Sequence, residues 1–309
     1  MVSVIVPIYN VGSEIEACLN SLAAQDYSHY EVILVNDGSS DNSAETCAKY
    51  CQKSELFRYI EQSNQGVAAA RQVGVEASKG EFVIFVDADD SLPQGAISTL
   101  VQSIENEDSI DIVCSGYRVH TFKKNYSKRL TPLTLSQDEW IKALLLDEVS
   151  HEPWAKIFRR RLFNKESFPR LKRGQDWLSN IEVASRVNRV RMINELCYNY
   201  NHRTSSTMRT HSYNLLSDKE LCDKVKAILQ QSNIYEKYRD EHSRMSLNQI
   251  FITLAKGTRV NLSNKWVDEV YTSTTHLKLT LREQIARAAI KWQLFQLLLQ
   301  SIARIYRKF

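Results

Sequence analysis

Glycine and proline are scarce in this chain of 309 residues, which has nine glycines and five prolines. That scarcity excludes collagen-like and low-complexity chains, and a content of 43% hydrophobic and 25% charged residues is ordinary for a packed globular protein. No G-x-G-x-x-G motif follows an apolar run, which disfavours a nicotinamide-dependent dehydrogenase. No stretch of about eighteen residues is apolar and uncharged, so the sequence predicts no membrane-spanning helix.

Cysteine pairs and a strong charge of one sign are also missing. The six cysteines form no C-x-x-C pair and no apolar leader follows Met1, so we expect a reducing, cytoplasmic location. The formal net charge of +4 gives no support to nucleic-acid binding. Positive charge does gather near the end, where residues 282–309 carry six basic side chains against Glu283.

Strand and helix signals alternate over the first hundred residues, with short connections between them. A continuous apolar run at residues 2–8 is typical of a fully buried strand, and further strands are predicted at about 31–35, 56–60 and 81–86. This alternation predicts an α/β fold with a mainly parallel sheet flanked by helices. Ligands of such sheets bind beyond the carboxyl ends of the strands. The loops at that edge therefore form one candidate site: residues 9–12, 36–40, 63–66 and 87–90.

The helices between these strands carry possible start signals. Ser13 followed by Glu16 predicts a capping box for the first helix. Asn42 with Glu45 predicts a cap for the second.

Two carboxylates, Asp87 and Asp89, follow the fourth predicted strand in an Asp-Ala-Asp-Asp motif. Carboxylates beside buried apolar surface need compensation. Two of them, with diphosphate oxygens and water, suit a hard divalent cation, so the motif predicts a Mg²⁺ or Mn²⁺ site. The alternative is that Asp89 or Asp90 caps a helix that begins near Pro93.

Two other loops at the same edge carry groups suited to a nucleotide. Asp37 could accept a hydrogen bond from a base N–H, although aspartate in an Asn-Asp-Gly-Ser turn is also ordinary turn chemistry. Arg71 lies on the helix after Gly66, where its guanidinium is either a bidentate partner for a diphosphate or part of a solvated helix face.

Six ordered motifs make roughly the first 210 residues resemble the family 2 glycosyltransferases, inverting enzymes with the GT-A fold. Their positions are an opening strand and loop at 3–10, Val-Asn-Asp-Gly-Ser-Ser-Asp at 35–41, Asn-Gln-Gly with Ala-Arg at 64–66 and 70–71, Asp-Ala-Asp-Asp at 87–90, Trp-Ala-Lys-Ile-Phe-Arg at 154–159, and Gly-Gln-Asp at 174–176.

The resemblance implies a UDP-sugar donor, Mn²⁺ or Mg²⁺, and a glycan or lipid-linked acceptor in cell-surface polysaccharide or O-antigen synthesis. It implies donor-binding roles for Pro7, Tyr9, Asp37, Arg71, Asp87, Ala88 and Arg203. It implies a metal ligand in Asp89, with Asp87 and His202 as further candidates, and an acceptor side formed by Trp154, Lys156 and Gln175. Asp176 would be the base that takes the proton of the attacking acceptor hydroxyl.

The chain departs from the family pattern at two positions. Gln175 stands where the family usually has Glu, so the carboxylate next to the implied base is replaced by an amide. Asn201 stands where the family usually has Arg, which loosens the assignment of Arg203 as the cation for the leaving diphosphate. His202 is alternatively a surface-loop residue.

We expect a glycosyltransferase domain at residues 1–213, with a nucleotide-binding half at about 1–115 and an acceptor half at about 116–213. A polar stretch at 123–129 is predicted to be a loop. Residues 214–309 are predicted to be helical and to end in a basic amphipathic helix. Its apolar stripe is Leu281, Ile285, Ala288, Trp292, Phe295, Leu299, Ile302 and Tyr306. The stripe could lie on a membrane surface, pack on the main domain, or form a homodimer.

Two rival functions are weighed against the transferase. A sugar nucleotidyltransferase also combines an α/β sheet, a nucleotide and a metal, but the opening loop lacks the glycine-rich basic run that such enzymes typically use. A non-catalytic protein that binds glycans or nucleotides on the same scaffold is motivated by Gln175.

Overall fold

One mixed sheet organises the first part of the chain. The computed structural model describes residues 1–122, 124–202, 214–256 and 265–290. The first four strands are β1 (Val2–Ile8), β2 (Tyr30–Asn36), β3 (Phe57–Glu61) and β4 (Phe82–Phe85). The helices that follow them in turn are α1 (Ile15–Ala23), α2 (Ser43–Lys53), α3 (Val67–Ala77) and α4 (Ala96–Glu105).

Later strands complete the sheet, and the remaining helices follow. The strands are β5 (Ile110–His120), β6 (Tyr126–Lys128), β7 (Leu133–Ser136), β8 (Lys156–Arg159) and β9 (Arg189–Asn201). The helices are α5 (Gln137–Leu145), α6 (Gln175–Ala184), α7 (Leu215–Gln231), α8 (Arg239–Ala255) and α9 (Lys265–Ser273). Residues 281–290 are also helical.

The strands lie in the order β3-β2-β1-β4-β8-β5-β9-β7, with β6 paired to β5. The strands from β3 to β4 are parallel, β8 is antiparallel to both of its neighbours, and β9 is parallel to β5. Helices flank this sheet, which confirms the predicted fold class of a mixed, mainly parallel sheet with a helical C-terminal region.

The apolar character of the central strands explains their position. All seven residues of β1 are buried, as expected for a strand that has a parallel neighbour on each side and helices on its faces. In the register of the sheet, Ile8 pairs with Asn36 and Asn36 with Glu61. The carboxyl ends of β1, β2 and β3 therefore lie side by side, and the loops that follow them begin at one edge.

Local start signals were less reliable than the strand pattern. Helix α1 has Glu14 at its N-cap and no side-chain cap bond, so the capping box of Ser13 and Glu16 was wrong. At α2 the amide of Ser43 donates to Asp41 Oδ1 at 3.0 Å, and the Asn42 side chain makes no cap bond.

Two further local predictions need correction. Helix α4 begins at Ala96 after Gly95, so neither Asp89 nor Asp90 caps it. The stretch at 123–129 was predicted to be a loop, but it contains β6, because its residues pair with the end of β5.

The chain divides into two compact units. The first comprises Met1–Ile141, His151–Leu171 and Gln175–Arg209, and the second comprises Lys142–Ser150, Lys172–Gly174 and Thr210–Phe309. In the second unit, the fully buried carboxylate of Asp218 on α7 accepts hydrogen bonds from Arg173 and from Thr253 on α8. A buried carboxylate with two donors is satisfied, and it links two of the helices.

The described part of the C-terminal stripe lies on an exposed helix face. Leu281 is 73% exposed and Ile285 52%, whereas Ala286 and Ile290 on the opposite side are buried. The stripe positions from Trp292 to Tyr306 lie outside the described residues. No helix in the described ranges is both long and apolar enough to cross a membrane.

Candidate active site

Hydrogen bonds join the loops after β1 and β2. Asn10 Oδ1 accepts from the Ser40 amide at 2.8 Å, and the Asn10 amide donates to Ser39 Oγ at 3.0 Å. The Gly12 amide donates to Asp41 Oδ2 at 2.8 Å. Three bonds from one loop to the next fix the shape of this edge without any ligand.

Asp37 joins the second loop to the third. Its buried carboxylate accepts from Gln62 Nε2 at 2.7 Å and from the amides of Gln65 and Gly66 at 2.8 Å each. Both carboxylate oxygens therefore hold the turn that leads into α3. The predicted contact of Asp37 with a nucleobase stays a prediction. A base N–H would have to share a carboxylate oxygen of Asp37 that already accepts a hydrogen bond from the protein.

Arg71 on α3 brings two of the predicted site carboxylates together. Its Nη1 donates to Asp176 Oδ1 at 2.6 Å, and its Nη2 donates to Asp87 Oδ1 at 3.1 Å. The Arg71 side chain is only 5% exposed, whereas the carboxylates of Asp87 and Asp176 are 30% and 37% exposed. A buried guanidinium thus orders two carboxylates that open to solvent on their other side.

Negative charge exceeds positive charge at this point. Burial alone would lower the pKa of the Arg71 guanidinium, but Asp176 and Asp87 outweigh burial and raise it. Burial raises the pKa of Asp87; Arg71 opposes this rise, and the charges of Asp176 and Asp89 add to it. Mutual repulsion among these carboxylates, with one buried guanidinium between two of them, favours binding of a further cation.

The Asp90 side chain is held by two hydrogen bonds from β9. Its Oδ2 accepts from the Tyr198 hydroxyl at 2.7 Å and its Oδ1 from the Asn201 amide at 2.7 Å. Burial, followed by the charge of Asp87, raises the pKa of Asp90 to about 8, against the two hydrogen bonds. Sequence reasoning considered Asp90 as part of the metal motif or as a helix cap, and it gave Tyr198 no role. No local signal could reveal a pair 108 residues apart.

Aromatic rings pack behind the metal motif on the predicted acceptor side. Trp154 stacks on Tyr198 with ring centroids 4.7 Å apart and on Tyr200 at 5.5 Å, and it meets Tyr117 edge-on at 4.8 Å. Trp154 is 6% exposed, so only its edge could meet a ligand. The Lys156 amine is buried and donates to the carbonyl of Glu152, which favours a supporting role for this lysine.

The remaining predicted residues are placed as follows. Pro7 is buried near the end of β1, and Ala88 is buried in the segment that follows β4. Tyr9 is 52% exposed in the first loop, and Gln175 is half-buried at the start of α6. His202 follows β9 and its amide donates to the His120 carbonyl at 2.9 Å. Arg203 lies outside the described residues. The roles assigned to these residues stay predictions.

The oxygen donors at the β4 end fit a hard divalent cation. Asp87 and Asp89 follow the strand, and excess negative charge surrounds them. The described residues contain no cluster of three or more His, Cys, Asp or Glu side chains arranged to hold a metal, so Asp87, Asp89 and His202 form no closed cage. An open site of two carboxylates would leave positions for diphosphate oxygens and water.

Comparisons with known proteins fit this geometry. Residues 3–170 match the model of glycosyl transferase family 2. The chain is also 30% identical over 225 residues to glycosyltransferase GlyG of Streptococcus pneumoniae, which covers 68% of this chain and 73% of GlyG. The chain belongs to glycosyl transferase family 2. As a member of this family it is a glycosyltransferase, which removes the nucleotidyltransferase alternative.

Other members show how widely the fold is shared. This glycosyltransferase is 28% identical over 261 residues to the poly(ribitol-phosphate) beta-N-acetylglucosaminyltransferase TarS of Staphylococcus aureus, over 81% of this chain and 44% of TarS.

A crystal structure of residues 1–349 of TarS with UDP-GlcNAc superposes with a TM-score of 0.75 at 22% identity, covering 94% of this chain and 88% of that one. The mannosyltransferase PcManGT of Pyrobaculum calidifontis, with GDP-Man and Mn²⁺, has a TM-score of 0.52 at 16% identity, covering 96% of this chain and 86% of that one. These two likenesses support the GT-A fold.

Proposed function

We propose that this glycosyltransferase moves a hexose or N-acetylhexosamine from a UDP-sugar to a glycan or lipid-linked acceptor in cell-surface polysaccharide synthesis, with inversion of the anomeric configuration. The observation that carries the proposal is the position of Arg71 between Asp87 and Asp176. Asp87 and Asp176 contact the same guanidinium, which supports a single site that contains the proposed metal ligand and the proposed base. TarS, solved with UDP-GlcNAc, supports a uridine donor.

Asp176 carries the proton transfer in this proposal. Its Oδ1 accepts from Arg71, so we assign Oδ2 to the acceptor hydroxyl. The acceptor oxygen forms a bond to the anomeric carbon while the bond from that carbon to the diphosphate oxygen breaks, and the hydroxyl proton passes to Asp176. A single displacement leaves the nucleoside diphosphate as the departing group and inverts the sugar configuration.

The residues at the β4 end would hold the donor's diphosphate. Asp87 and Asp89 would bind Mn²⁺ or Mg²⁺, which when bound neutralises charge on the leaving diphosphate. Arg71 keeps Asp87 and Asp176 at a fixed separation through its two ion pairs. PcManGT, solved with Mn²⁺, supports the choice of cation.

The donor base can be tested by thermal unfolding of the whole protein with UDP, GDP and CDP, each with and without Mn²⁺. The largest rise of Tm is expected with UDP, and only when Mn²⁺ is present. PcManGT was solved with GDP-Man, so GDP is the most informative competitor. A greater rise with GDP or CDP would overturn the uridine assignment.

Hydrolysis of a UDP-sugar panel tests the catalytic roles. We expect slow, Mn²⁺-dependent release of UDP from one sugar of the panel, and loss of that release in Asp89→Ala. Asp176→Asn should lower transfer by about 100-fold or more while UDP–Mn²⁺ binding is kept, because general-base catalysis contributes about 10² to 10⁴. If the protein binds UDP but releases no UDP from any sugar of the panel, with or without Mn²⁺, a non-catalytic nucleotide-binding role would be favoured. Gln175→Glu would then test whether the missing carboxylate is the cause.

A further inference from the structure

A chain of hydrogen bonds runs from the Asp87 backbone to the side chain of Asp90. The Asp87 amide donates to the Tyr198 hydroxyl oxygen at 3.1 Å, and that hydroxyl donates to Asp90 Oδ2 at 2.7 Å. An amide N–H can only donate, so the Tyr198 hydroxyl oxygen accepts from Asp87, and its own O–H remains to donate to Asp90 Oδ2. Tyr198 therefore holds both ends of the four-residue turn 87–90.

Other bonds from β9 hold the same turn. The Asn201 amide donates to Asp90 Oδ1 at 2.7 Å, and Asn201 Nδ2 donates to the Asp89 carbonyl at 3.0 Å. Just after the turn, Ser91 and Asn199 exchange backbone bonds of 3.2 and 2.9 Å. The backbone amide of Asp87 and the carbonyl of Asp89 are thus tied to one neighbouring strand.

The ring of Tyr198 has little freedom to move. It is 1% exposed and stacks on Trp154 with an angle of 13° between the planes. Its hydroxyl is therefore held at a defined point above the turn. Both Asp90 oxygens are occupied by β9 donors, so its carboxylate is committed to the protein.

We propose that Tyr198 and Asp90 are positioning residues that set the direction of the Asp87 and Asp89 carboxylates, and that Asp90 is not itself a metal ligand. This inference rests on the proposed function, because it assumes a cation at Asp87 and Asp89. Outer-shell hydrogen bonds of this kind typically change metal affinity or activity by about 10- to 100-fold when they are removed.

The test measures Mn²⁺ affinity of the full chain directly, by the electron paramagnetic resonance signal of free Mn²⁺ with UDP present. Tyr198→Phe keeps the stacked ring and removes the hydroxyl, and Asp90→Asn keeps the shape of the side chain. Each is expected to weaken Mn²⁺ binding by about 10- to 100-fold. Tyr117→Phe is the matched control, because Tyr117 also contacts the Trp154 ring, and it should stay within about twofold of the parent.

A double variant tests whether Tyr198 and Asp90 act on Mn²⁺ binding together or independently. If Tyr198 and Asp90 act as one unit, the combined loss of Mn²⁺ affinity in Tyr198→Phe/Asp90→Asn will be close to that of either single variant. If the fold-losses of Mn²⁺ affinity in the two single variants multiply in the double variant, Tyr198 and Asp90 act independently and the shared role is overturned. If either single variant fails to fold, Asn201→Ser removes the tie to the Asp89 carbonyl from a half-buried position and should weaken Mn²⁺ binding in the same direction.

The outcomes keep the two proposals apart. A parent protein that binds UDP with no help from Mn²⁺ would contradict the proposed function. A parent that shows Mn²⁺-dependent binding, together with folded Tyr198→Phe and Asp90→Asn proteins of unchanged Mn²⁺ affinity, would overturn the positioning role alone.

Discussion

Arg71 and Asp176, 105 residues apart in the chain, form an ion pair of 2.6 Å in which the arginine is almost fully buried. The same guanidinium contacts Asp87 at 3.1 Å. Its planar fork presents N–H groups to both carboxylates at a fixed spacing, a geometry that the single ammonium group of a lysine does not impose. The separation of Asp87 from Asp176 therefore depends on this arginine.

We expect Arg71→Lys to fold and to lower transfer by about 100-fold, because a small misplacement of reacting groups costs about that much. Arg71→Met should also lower the free energy of unfolding by about 1–3 kcal/mol, since two carboxylates lose a charged donor. Steady-state transfer and urea unfolding measure the two effects. Arg58→Lys is the control, because Arg58 pairs with Glu31 and touches neither Asp87 nor Asp176. Full activity in Arg71→Lys would contradict the prediction.

A pH dependence of stability is expected from Glu31. Burial raises the pKa of this carboxyl, but hydrogen bonds from the Lys79 amide, Ser3 and Arg58 outweigh burial and lower it below the ordinary value. A carboxyl whose pKa is lower in the folded state stabilises the protein above its unfolded pKa of about 4.3. That stabilisation is lost as the pH falls through the folded value.

Urea unfolding of the parent and Glu31→Gln at several pH values measures this contribution. At pH 7 we expect the variant to be less stable by about 1–3 kcal/mol, the size of a hydrogen-bonded charged group. The difference should shrink as the pH falls below about 4. Glu76→Gln on the exposed side of α3 should stay within about 0.5 kcal/mol throughout. A Glu31→Gln difference that is constant down to pH 2 would contradict the assignment.

Close packing of α3 on β1 leads to a further prediction. A Cβ added at Gly74 would lie 2.3 Å from Ile5 Cγ2, and Ile5 is fully buried. Gly74→Ala should therefore lower the free energy of unfolding by about 1–3 kcal/mol through overpacking. Ile5→Ala alone should cost about 2–5 kcal/mol, but the double variant should cost less than the sum, because the new methyl fills part of the cavity. If the losses of unfolding free energy in the two single variants are strictly additive in the double variant, the contact between Gly74 and Ile5 would be contradicted.

For the exposed part of the C-terminal stripe we predict contact with a membrane surface. Leu281 and Ile285 present apolar side chains beside Arg282, a combination suited to anionic lipid. Flotation with vesicles containing anionic phospholipid should carry the parent protein and release Leu281→Ser/Ile285→Ser. Leu216→Ser is the control, since Leu216 is 77% exposed on α7. The prediction would be contradicted if the parent protein does not bind the vesicles but sediments as a dimer, and if the double variant sediments as a monomer. The stripe would then be a contact between two copies of the chain.

The sheet was predictable because its strands are uniformly apolar. Residues 2–8 have few alternatives to a buried strand, and four such runs with short connections allow little besides parallel pairing. The convergence of the four loops followed from that topology. The identities of Asp37, Arg71 and Asp87 as residues of this edge could therefore be predicted before their contacts were known.

Features that depend on distant residues could not be predicted. Asp41 accepts from the Ser43 amide at the start of α2 and also from the Gly12 amide, a contact across two loops that a local capping rule does not consider. The pairing of Asp90 with Tyr198 depends on β9 lying beside the segment that follows β4, where Ser91 bridges to Asn199. The ion pairs of Arg71 depend on how α3 and α6 approach β4, which periodicity along the chain does not encode.

The three bonds accepted by Asp37 bear on how this enzyme could be re-engineered. One buried carboxylate in the second loop holds the backbone of Gln65 and Gly66 in the third, so the two loops are joined by shared hydrogen bonds. A chimera that imports either loop from another transferase without the other would break that sharing. Donor preference in hybrid enzymes should therefore transfer only when residues 36–40 and 62–66 are exchanged together.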